Sequence, residues 1–185
     1  IFVNSDKSLT NRIWIEKKIS HNLVESFSQK KSISQLFSKL LLCRDINEEN
    51  FDQFINSDFL NNLPDPFKLI DMKKGIKRCC EALHNKENIG IIADYDVDGS
   101  TSASILYKFL KTYSPNITLK IPNRLSEGYG PNLRLMNEML QEKVSLLFTL
   151  DCGTSAFDII DHPNYHDTEV IVIDHHLSEF KLPKV

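Results

Sequence analysis

The sequence has no long apolar run, no excess of positive charge and no CxxC pair. No stretch approaches the ~18 apolar residues of a membrane-spanning helix, and the N-terminus shows no basic segment followed by an apolar one. We therefore expect a protein that makes no membrane contact. The net charge of -3 over 185 residues argues against a broadly basic surface that coats nucleic acid, although it is compatible with a local basic groove.

The four cysteines, Cys43, Cys79, Cys80 and Cys152, lack the spacing of a structural zinc site. Free packing cysteines are typical of a reducing compartment, so we expect a cytoplasmic location. The first residue is not an initiator Met, and the chain stops soon after its last motif. We therefore expect a fragment of a longer protein.

Two regions differ in their apolar pattern. Residues 1–85 have helical spacing interrupted by polar linkers, with a break at Leu63-Pro64-Asp65-Pro66, and predict a helical N-terminal region. In residues 86–185, short apolar strands alternate with helices. The strands are predicted at 88–94, 117–121, 145–150 and 169–174, and the helices at 99–113, 131–142 and 154–161. This alternation predicts an α/β fold, a parallel β-sheet with helices on both faces.

Acidic and histidine residues follow three of the four predicted strands. Asp94, Asp96 and Asp98 follow the first strand, Asp151 follows the third, and Asp174-His175-His176 follows the fourth. Sites in parallel sheets form beyond the carboxyl ends of the strands, so we expect these side chains to converge. Carboxylates and imidazoles together are the ligands of a divalent-metal site for phosphoester hydrolysis.

The acidic run Asp94-Tyr95-Asp96-Val97-Asp98-Gly99 places three carboxylates close enough to repel one another unless a cation compensates them. An EF-hand loop is excluded, because Ile105 occupies the twelfth position where that loop needs Glu. The helix that begins near Ser100 and Thr101 could hold a phosphate at its free N–H groups. Simple capping by these two hydroxyls is the alternative.

The later motifs supply the remaining candidates. Asp151, followed by Gly153, is placed where a carboxylate can bridge two metals, and Cys152 is expected to pack. Adjacent residues of a strand point to opposite sides, so one of His175 and His176 can bind metal while the other faces substrate. Asp174 could orient a histidine through its other ring nitrogen.

Arg124 and the turn Gly128-Tyr129-Gly130 follow the second strand. The planar guanidinium suits a phosphate, and the glycines allow the backbone to pass close to a ligand. A surface turn with an incidental arginine is the alternative.

These motifs resemble those of the DHH phosphoesterase superfamily, and more closely its branch of single-strand-specific DNA exonucleases. The resemblance rests on the motifs at 94–102, 123–130, 150–153 and 173–177, and on an upstream passage that includes Leu60 to Leu63, Asp65-Pro66-Phe67 and Leu69-Ile70-Asp71-Met72. It thus covers nearly the whole chain.

The resemblance implies a site with two Mn²⁺ or Mg²⁺ ions. The implied metal ligands are Asp94, Asp96, Asp98, Asp151 and His175, and the implied catalytic residues are Asp96, Asp98, Asp151, His175 and His176. His176 and Arg124 would contact the scissile phosphate, and the remaining DNA-side residues would be Ser100, Thr101, Gly128, Tyr129 and Gly130.

The same resemblance implies 5′→3′ hydrolysis of single-stranded DNA in recombination and repair. A single-strand binding protein and a helicase are the implied partners. Members of this exonuclease branch also carry a later metal-binding Asp, a DHHA1 domain and an OB-fold, none of which lies within residues 1–185. Residues 86–185 would then be the N-terminal part of a DHH domain, and this fragment alone could be inactive.

Two alternatives stay open. Other DHH enzymes, such as pyrophosphatases and phosphodiesterases for short oligonucleotides or cyclic dinucleotides, usually have a His four residues before the first Asp of a DxD pair. Taking Asp96-Val97-Asp98 as that pair, the position is Ile92, which counts against them. A catalytically inactive DHH scaffold would be expected to have lost acidic motif residues, and here they are intact.

Overall fold

The computed structural model describes residues 10–13, 15–56, 58, 63–178 and 182–184. Residues 60–62 of the upstream passage lie outside the described residues, as do both terminal residues. The chain divides into two compact units, one up to Asp65 and one from Pro66 onward. This division falls earlier than residue 85, where the apolar pattern of the sequence changes.

The first unit contains helices α1 (His21–Lys31), α2 (Gln35–Leu42) and α3 (Phe51–Ile55). Ser34 begins α2 by accepting a hydrogen bond from the Phe37 amide. A small core forms between the helices, where the rings of Phe27 and Phe51 meet edge to face with centroids 5.6 Å apart. The predicted helical character of this region is confirmed for its described residues.

The second unit contains a four-stranded parallel sheet. Its strands are β1 (Ile89–Ala93), β2 (Ile117–Lys120), β3 (Leu146–Leu150) and β4 (Glu169–Ile173), in the order β2-β1-β3-β4. Residue Ile89 pairs with both Ile117 and Leu146, and Leu146 pairs with Glu169. Strands β1 and β3 are buried throughout, as expected of central strands covered on both faces.

Helices cover the sheet on both faces, as predicted. A 3-10 turn (Pro66–Lys68) precedes α4 (Met72–His84), and the other helices are α5 (Val97–Lys111), α6 (Leu133–Gln141) and the short α7 (Phe157–Ile160), followed by a 3-10 turn at Pro163–Tyr165. Apolar side chains of α4 and α5 pack on the face that carries Ile91 and Phe148. Those of α6 pack on the opposite face, beside Ile92 and Leu147.

Strand alternation explains this arrangement, because successive residues of β1 and β3 point to opposite faces. Gly90 allows α6 to approach closely, since a Cβ there would lie 2.8 Å from the Met139 sulfur. None of the helices in the described ranges is long and apolar enough to cross a membrane.

The strand order creates a switch point between β1 and β3. The chain leaves β1 through α5 toward β2, then returns through α6 to β3 on the other side of β1. The loops beyond the carboxyl ends of β1 and β3 therefore lead in opposite directions, and such switch points are where sites form in open α/β sheets. Asp94 and Asp151 directly follow these two strands.

Candidate metal centre

Backbone hydrogen bonds continue for one residue beyond the strands and bring Asp94, Asp151 and Asp174 side by side. The Asp94 amide donates to the Leu150 carbonyl at 3.2 Å, and the Asp151 amide donates to the Ile173 carbonyl at 2.9 Å. The first residues after β1, β3 and β4 are thus neighbours at one edge of the sheet. Asp94 and Asp151 are 2% and 7% exposed, although unpaired carboxylates are rarely buried.

Two groups of potential metal ligands share Asp151. Within each group, one ligand atom per residue lies within 4.8 Å of the others. The first group consists of Asp94, Asp96 and Asp151, and the second of Asp151, His175 and His176. A carboxylate common to two adjacent groups is the arrangement that lets one side chain bridge two cations.

The donor set fits divalent cations. Asp94 Oδ1 is buried and has no hydrogen-bond partner among the described residues, which is costly for a carboxylate oxygen unless a cation compensates it. Burial, together with the nearby charge of Asp96, raises the pKa of Asp151. Both observations indicate a concentration of negative charge that a metal ion would neutralise, and carboxylate oxygens with imidazole suit Mn²⁺, while the all-carboxylate group also suits Mg²⁺.

Asp96 and Asp98 have different positions at the start of α5. Asp96 Oδ1 accepts a hydrogen bond from the Gly99 amide at 3.0 Å and begins α5. That bond is the main reason why the pKa of Asp96 is lowered. Because the helix begins at Val97, Asp98 lies in its first turn, exposed and outside both ligand groups. A metal-binding role for Asp98 stays a prediction.

Ser100 and Thr101 direct their hydroxyls to nearby backbone carbonyls. Ser100 Oγ donates to the Tyr95 carbonyl at 3.5 Å, and Thr101 Oγ donates to the Val97 carbonyl at 2.7 Å. Neither is the N-terminal cap, which is Asp96. Their contact with phosphate stays a prediction.

The two histidines differ in their partners. His175 Nε2 lies 3.1 Å from Asp151 Oδ1. His176 Nδ1 lies 2.7 Å from Asp174 Oδ1, and this bond raises the pKa of His176. Asp174 thus orients His176 through a ring nitrogen, as the sequence suggested. Burial opposes ionisation of Asp174, yet hydrogen bonds from Thr154 and His176 bring its pKa down to about 2.

Tyr129 belongs to the same cluster. Its hydroxyl donates to the Asp151 carbonyl at 2.8 Å and lies 3.0 Å from His176 Nδ1. Gly128 and Gly130, at φ 78° and 77°, supply the left-handed backbone that this turn needs. Burial and the surrounding carboxylates raise the pKa of Tyr129, so the hydroxyl stays protonated. Tyr129 is therefore placed to position His176.

Arg124 is held outside both ligand groups. Its guanidinium carbon lies 5.2 Å from the centroid of the Tyr95 ring.

Cys152 is fully buried. Burial, followed by the charge of Asp174, raises the pKa of its thiol to about 12, which agrees with the packing role expected of it.

Comparison with known proteins places the chain in a family. A model described as the N-terminal domain of the DHH family matches residues 88–185, more than half of the chain. The chain belongs to the DHH family. The resemblance seen in the motifs is thereby confirmed.

Several curated relatives of this DHH chain are single-stranded-DNA-specific exonucleases named RecJ. The Bacillus subtilis protein is 31% identical over 176 residues, which cover 93% of this chain and 22% of the relative. The Thermus thermophilus protein is 34% identical over 119 residues, or 62% of this chain and 18% of the relative. The chain spans about a fifth of the length of these curated relatives.

Two solved structures of RecJ proteins are similar to this chain. A crystal structure of exonuclease RecJ bound to manganese is 32% identical, with a TM-score of 0.59 over 66% of this chain and 30% of that chain. The crystal structure of RecJ from Thermus thermophilus in complex with Mn²⁺ is 21% identical, with a TM-score of 0.60 over 89% of this chain and 22% of that chain. The second supports the α/β fold alone.

Thr154, Glu127 and Arg134 also support the DHH site, although the sequence motifs did not single them out. Thr154 donates its amide to Asp174 Oδ2 at 3.0 Å. Glu127 accepts hydrogen bonds from the Asn123 amide and from Arg134, and so ties the Arg124 loop to α6. Glu127 lies inside a motif and could have been singled out there, whereas no sequence signal marks Arg134.

Proposed function

We propose that this chain is the catalytic DHH segment of a metal-dependent exonuclease that degrades single-stranded DNA in the 5′→3′ direction, in recombination and repair. The observation that carries the proposal is Asp151, shared by two ligand groups at the switch point of the sheet. Similarity to proteins named as single-stranded-DNA-specific exonucleases supports the choice of substrate.

The proposed ligands of two Mn²⁺ or Mg²⁺ ions are Asp94, Asp96, Asp98, Asp151 and His175. When bound, these ions would supply Lewis acidity at the phosphate and lower the pKa of water. The proposed domain organisation is a helical region over residues 1–85 and the N-terminal part of a DHH domain over residues 86–185.

The chain's own residues would bind and orient the DNA. His176, held through Nδ1, keeps Nε2 available to the scissile phosphate. Arg124 has a planar fork of donors for phosphate oxygens. Single-strand binding protein and helicase partners, and a cytoplasmic location, are part of the same proposal.

The test is a nuclease assay of the complete gene product with Mn²⁺ on 5′-phosphorylated, end-labelled single-stranded DNA. We expect mononucleotide release from the 5′ end, abolished in Asp151→Ala and retained in Asp158→Ala, the same change at an exposed aspartate on α7. A parallel assay with pyrophosphate separates the branches of the family. Intact DNA with rapid pyrophosphate hydrolysis would refute the exonuclease proposal.

A further inference from the structure

Tyr95 and Arg124 meet at the edge of the candidate site. Tyr95 stands between Asp94 and Asp96 beyond β1, and Arg124 lies in the loop after β2. Because β1 and β2 are adjacent parallel strands, these two loops lie side by side. The Arg124 guanidinium carbon is 5.2 Å from the Tyr95 ring centroid, which is within the range of a cation–π contact.

Arg124 differs from the other arginines of this unit. Arg78 is paired with Glu87 and Glu169, and Arg134 with Glu127 and Glu138. For Arg124, by contrast, no ion pair with a described carboxylate falls within 4.0 Å, and its contact is the Tyr95 ring. This is notable because the carboxylates of Asp94, Asp96 and Asp151 lie at the same edge of the sheet.

The type of contact decides what the guanidinium can still bind. A carboxylate partner occupies the N–H donors in the guanidinium plane, which are the same donors that grip a phosphate. An aromatic face attracts the cation through its π system and leaves the in-plane donors free. We infer that Tyr95 is a positioning residue that holds Arg124 on its ring with the phosphate-binding donors uncommitted; this inference rests on the proposed function.

Tyr95 can act on Arg124 without acting on the metal ligands. The contact between the two residues is made by the Tyr95 ring, not by the carboxylates on either side of it in the sequence. Tyr95 appears in neither ligand group. Its substitution is therefore expected to leave Mn²⁺ binding unchanged.

The test is a double-mutant cycle on the complete gene product, with hydrolysis of 5′-phosphorylated single-stranded DNA as the readout. Tyr95→Leu removes the ring and is expected to lower kcat/KM about 3- to 10-fold. Tyr95→Phe keeps the ring and should stay within about twofold of wild type. Arg124→Ala should lower kcat/KM about 100-fold. Adding Tyr95→Leu to Arg124→Ala should lower kcat/KM no further.

Two further readouts separate positioning from structural damage. Mn²⁺ affinity, measured by titration calorimetry, should be equal in wild type and Tyr95→Leu. In the NMR spectrum of ¹⁵N-arginine-labelled protein, the Nε–H resonance lost in Arg124→Ala should carry a ring-current shift that survives Tyr95→Phe and disappears in Tyr95→Leu.

Three results would overturn the inference: an equal loss in Tyr95→Phe, an undiminished effect of Tyr95→Leu in the Arg124→Ala background, or weakened Mn²⁺ binding in Tyr95→Leu. If wild-type protein hydrolyses no DNA, the proposed function fails by itself. The Arg124 resonance then still supports or overturns the contact, because it does not depend on activity.

Discussion

The Tyr129 hydroxyl lies 3.0 Å from Nδ1 of His176 and donates its single proton to the Asp151 carbonyl, 2.8 Å away. Toward His176 it can therefore only accept a hydrogen bond. Asp174 Oδ1, 2.7 Å from the same nitrogen, is also an acceptor. The network thus assigns a proton to Nδ1 and leaves Nε2 as the nitrogen that faces other ligands.

Removing the Tyr129 hydroxyl should impair turnover, whereas removing a hydroxyl remote from the site should not. We expect Tyr129→Phe to lower kcat about tenfold, the equivalent of ~1.4 kcal/mol, because His176 loses one of the two groups that orient it. The matched control is Tyr165→Phe, which removes a hydroxyl that donates to Asn137 Oδ1 at 3.0 Å. Both variants should lose ~0.5–1.5 kcal/mol of unfolding free energy. Equal turnover in the two variants would contradict the positioning role of Tyr129.

In the metal-free protein, the protonated Asp151 carboxyl should contribute stability that is lost as pH rises from about 4. The pKa of Asp151 is raised by burial and by Asp96, so the folded state retains a proton that the unfolded state has released. Stability therefore falls as pH rises from the unfolded pKa of Asp to the raised folded pKa. Asp151→Asn should remove this contribution of Asp151, as followed by thermal unfolding in a chelator.

Adding Mn²⁺ at 100 times its Kd should raise the unfolding free energy by ~2.7 kcal/mol. The gain should vanish in Asp151→Asn, because both ligand groups contain this residue. Asp158→Asn, on the exposed side of α7, should keep both the gain and the pH dependence. A full Mn²⁺ response in Asp151→Asn would exclude the shared-ligand arrangement.

Helix α5 passes so close to the backbone of Asp94 that position 99 requires glycine. A Cβ at this position would lie 2.2 Å from the Asp94 carbonyl oxygen, a backbone atom that cannot move aside. We expect Gly99→Ala to cost at least ~1–3 kcal/mol of unfolding free energy and to weaken Mn²⁺ binding by displacing Asp94. Chemical denaturation and calorimetry measure the two effects.

The control for that variant is Gly75→Ala in α4. The nearest atoms to its added Cβ would be in the Ile171 side chain at 3.8 Å, an ordinary contact. Because alanine has a higher helix propensity than glycine, the unfolding free energy of this variant should rise by ~0.5–1 kcal/mol. A Gly99→Ala protein as stable as wild type would show that the backbone at Asp94 can shift.

Arg78 links α4 to the segment just before β1 and to the start of β4. Its guanidinium bonds to Glu87 and to Glu169, and its side chain is 19% exposed. Arg78→Met should cost ~1–3 kcal/mol at pH 7, since Glu87 is left partly buried without its cation. Lys77→Met, which removes an exposed pair with Glu81 at 3.8 Å, should cost less than ~0.5 kcal/mol.

The cost of Arg78→Met should also depend on pH. Hydrogen bonds from Arg78 and Ser145 lower the pKa of Glu87. This stabilisation is present above the unfolded pKa of Glu, about 4.3, and is lost as pH falls through the lowered folded pKa. The stability difference between wild type and variant should therefore narrow below pH ~4, and a constant difference from pH 7 to pH 2 would assign the effect to packing.

The α/β fold and the edge of the sheet that carries the site could be predicted from local pattern. Strand and helix periodicities are properties of short segments, and parallel strands that alternate with helices present their carboxyl ends on one side. Asp94, Asp151 and the histidine pair could be chosen for the same reason, since each directly follows an apolar strand.

Which of those side chains meet was decided only by the tertiary structure. The order β2-β1-β3-β4 sets Asp94 beside Asp151, while the start of α5 at Val97 turns Asp98 away from both ligand groups. Contacts such as Tyr129 with His176, 47 residues apart, and Arg78 with Glu169, 91 residues apart, have no local pattern. They depend on strand order and on where each loop ends, which periodicity along the chain does not encode.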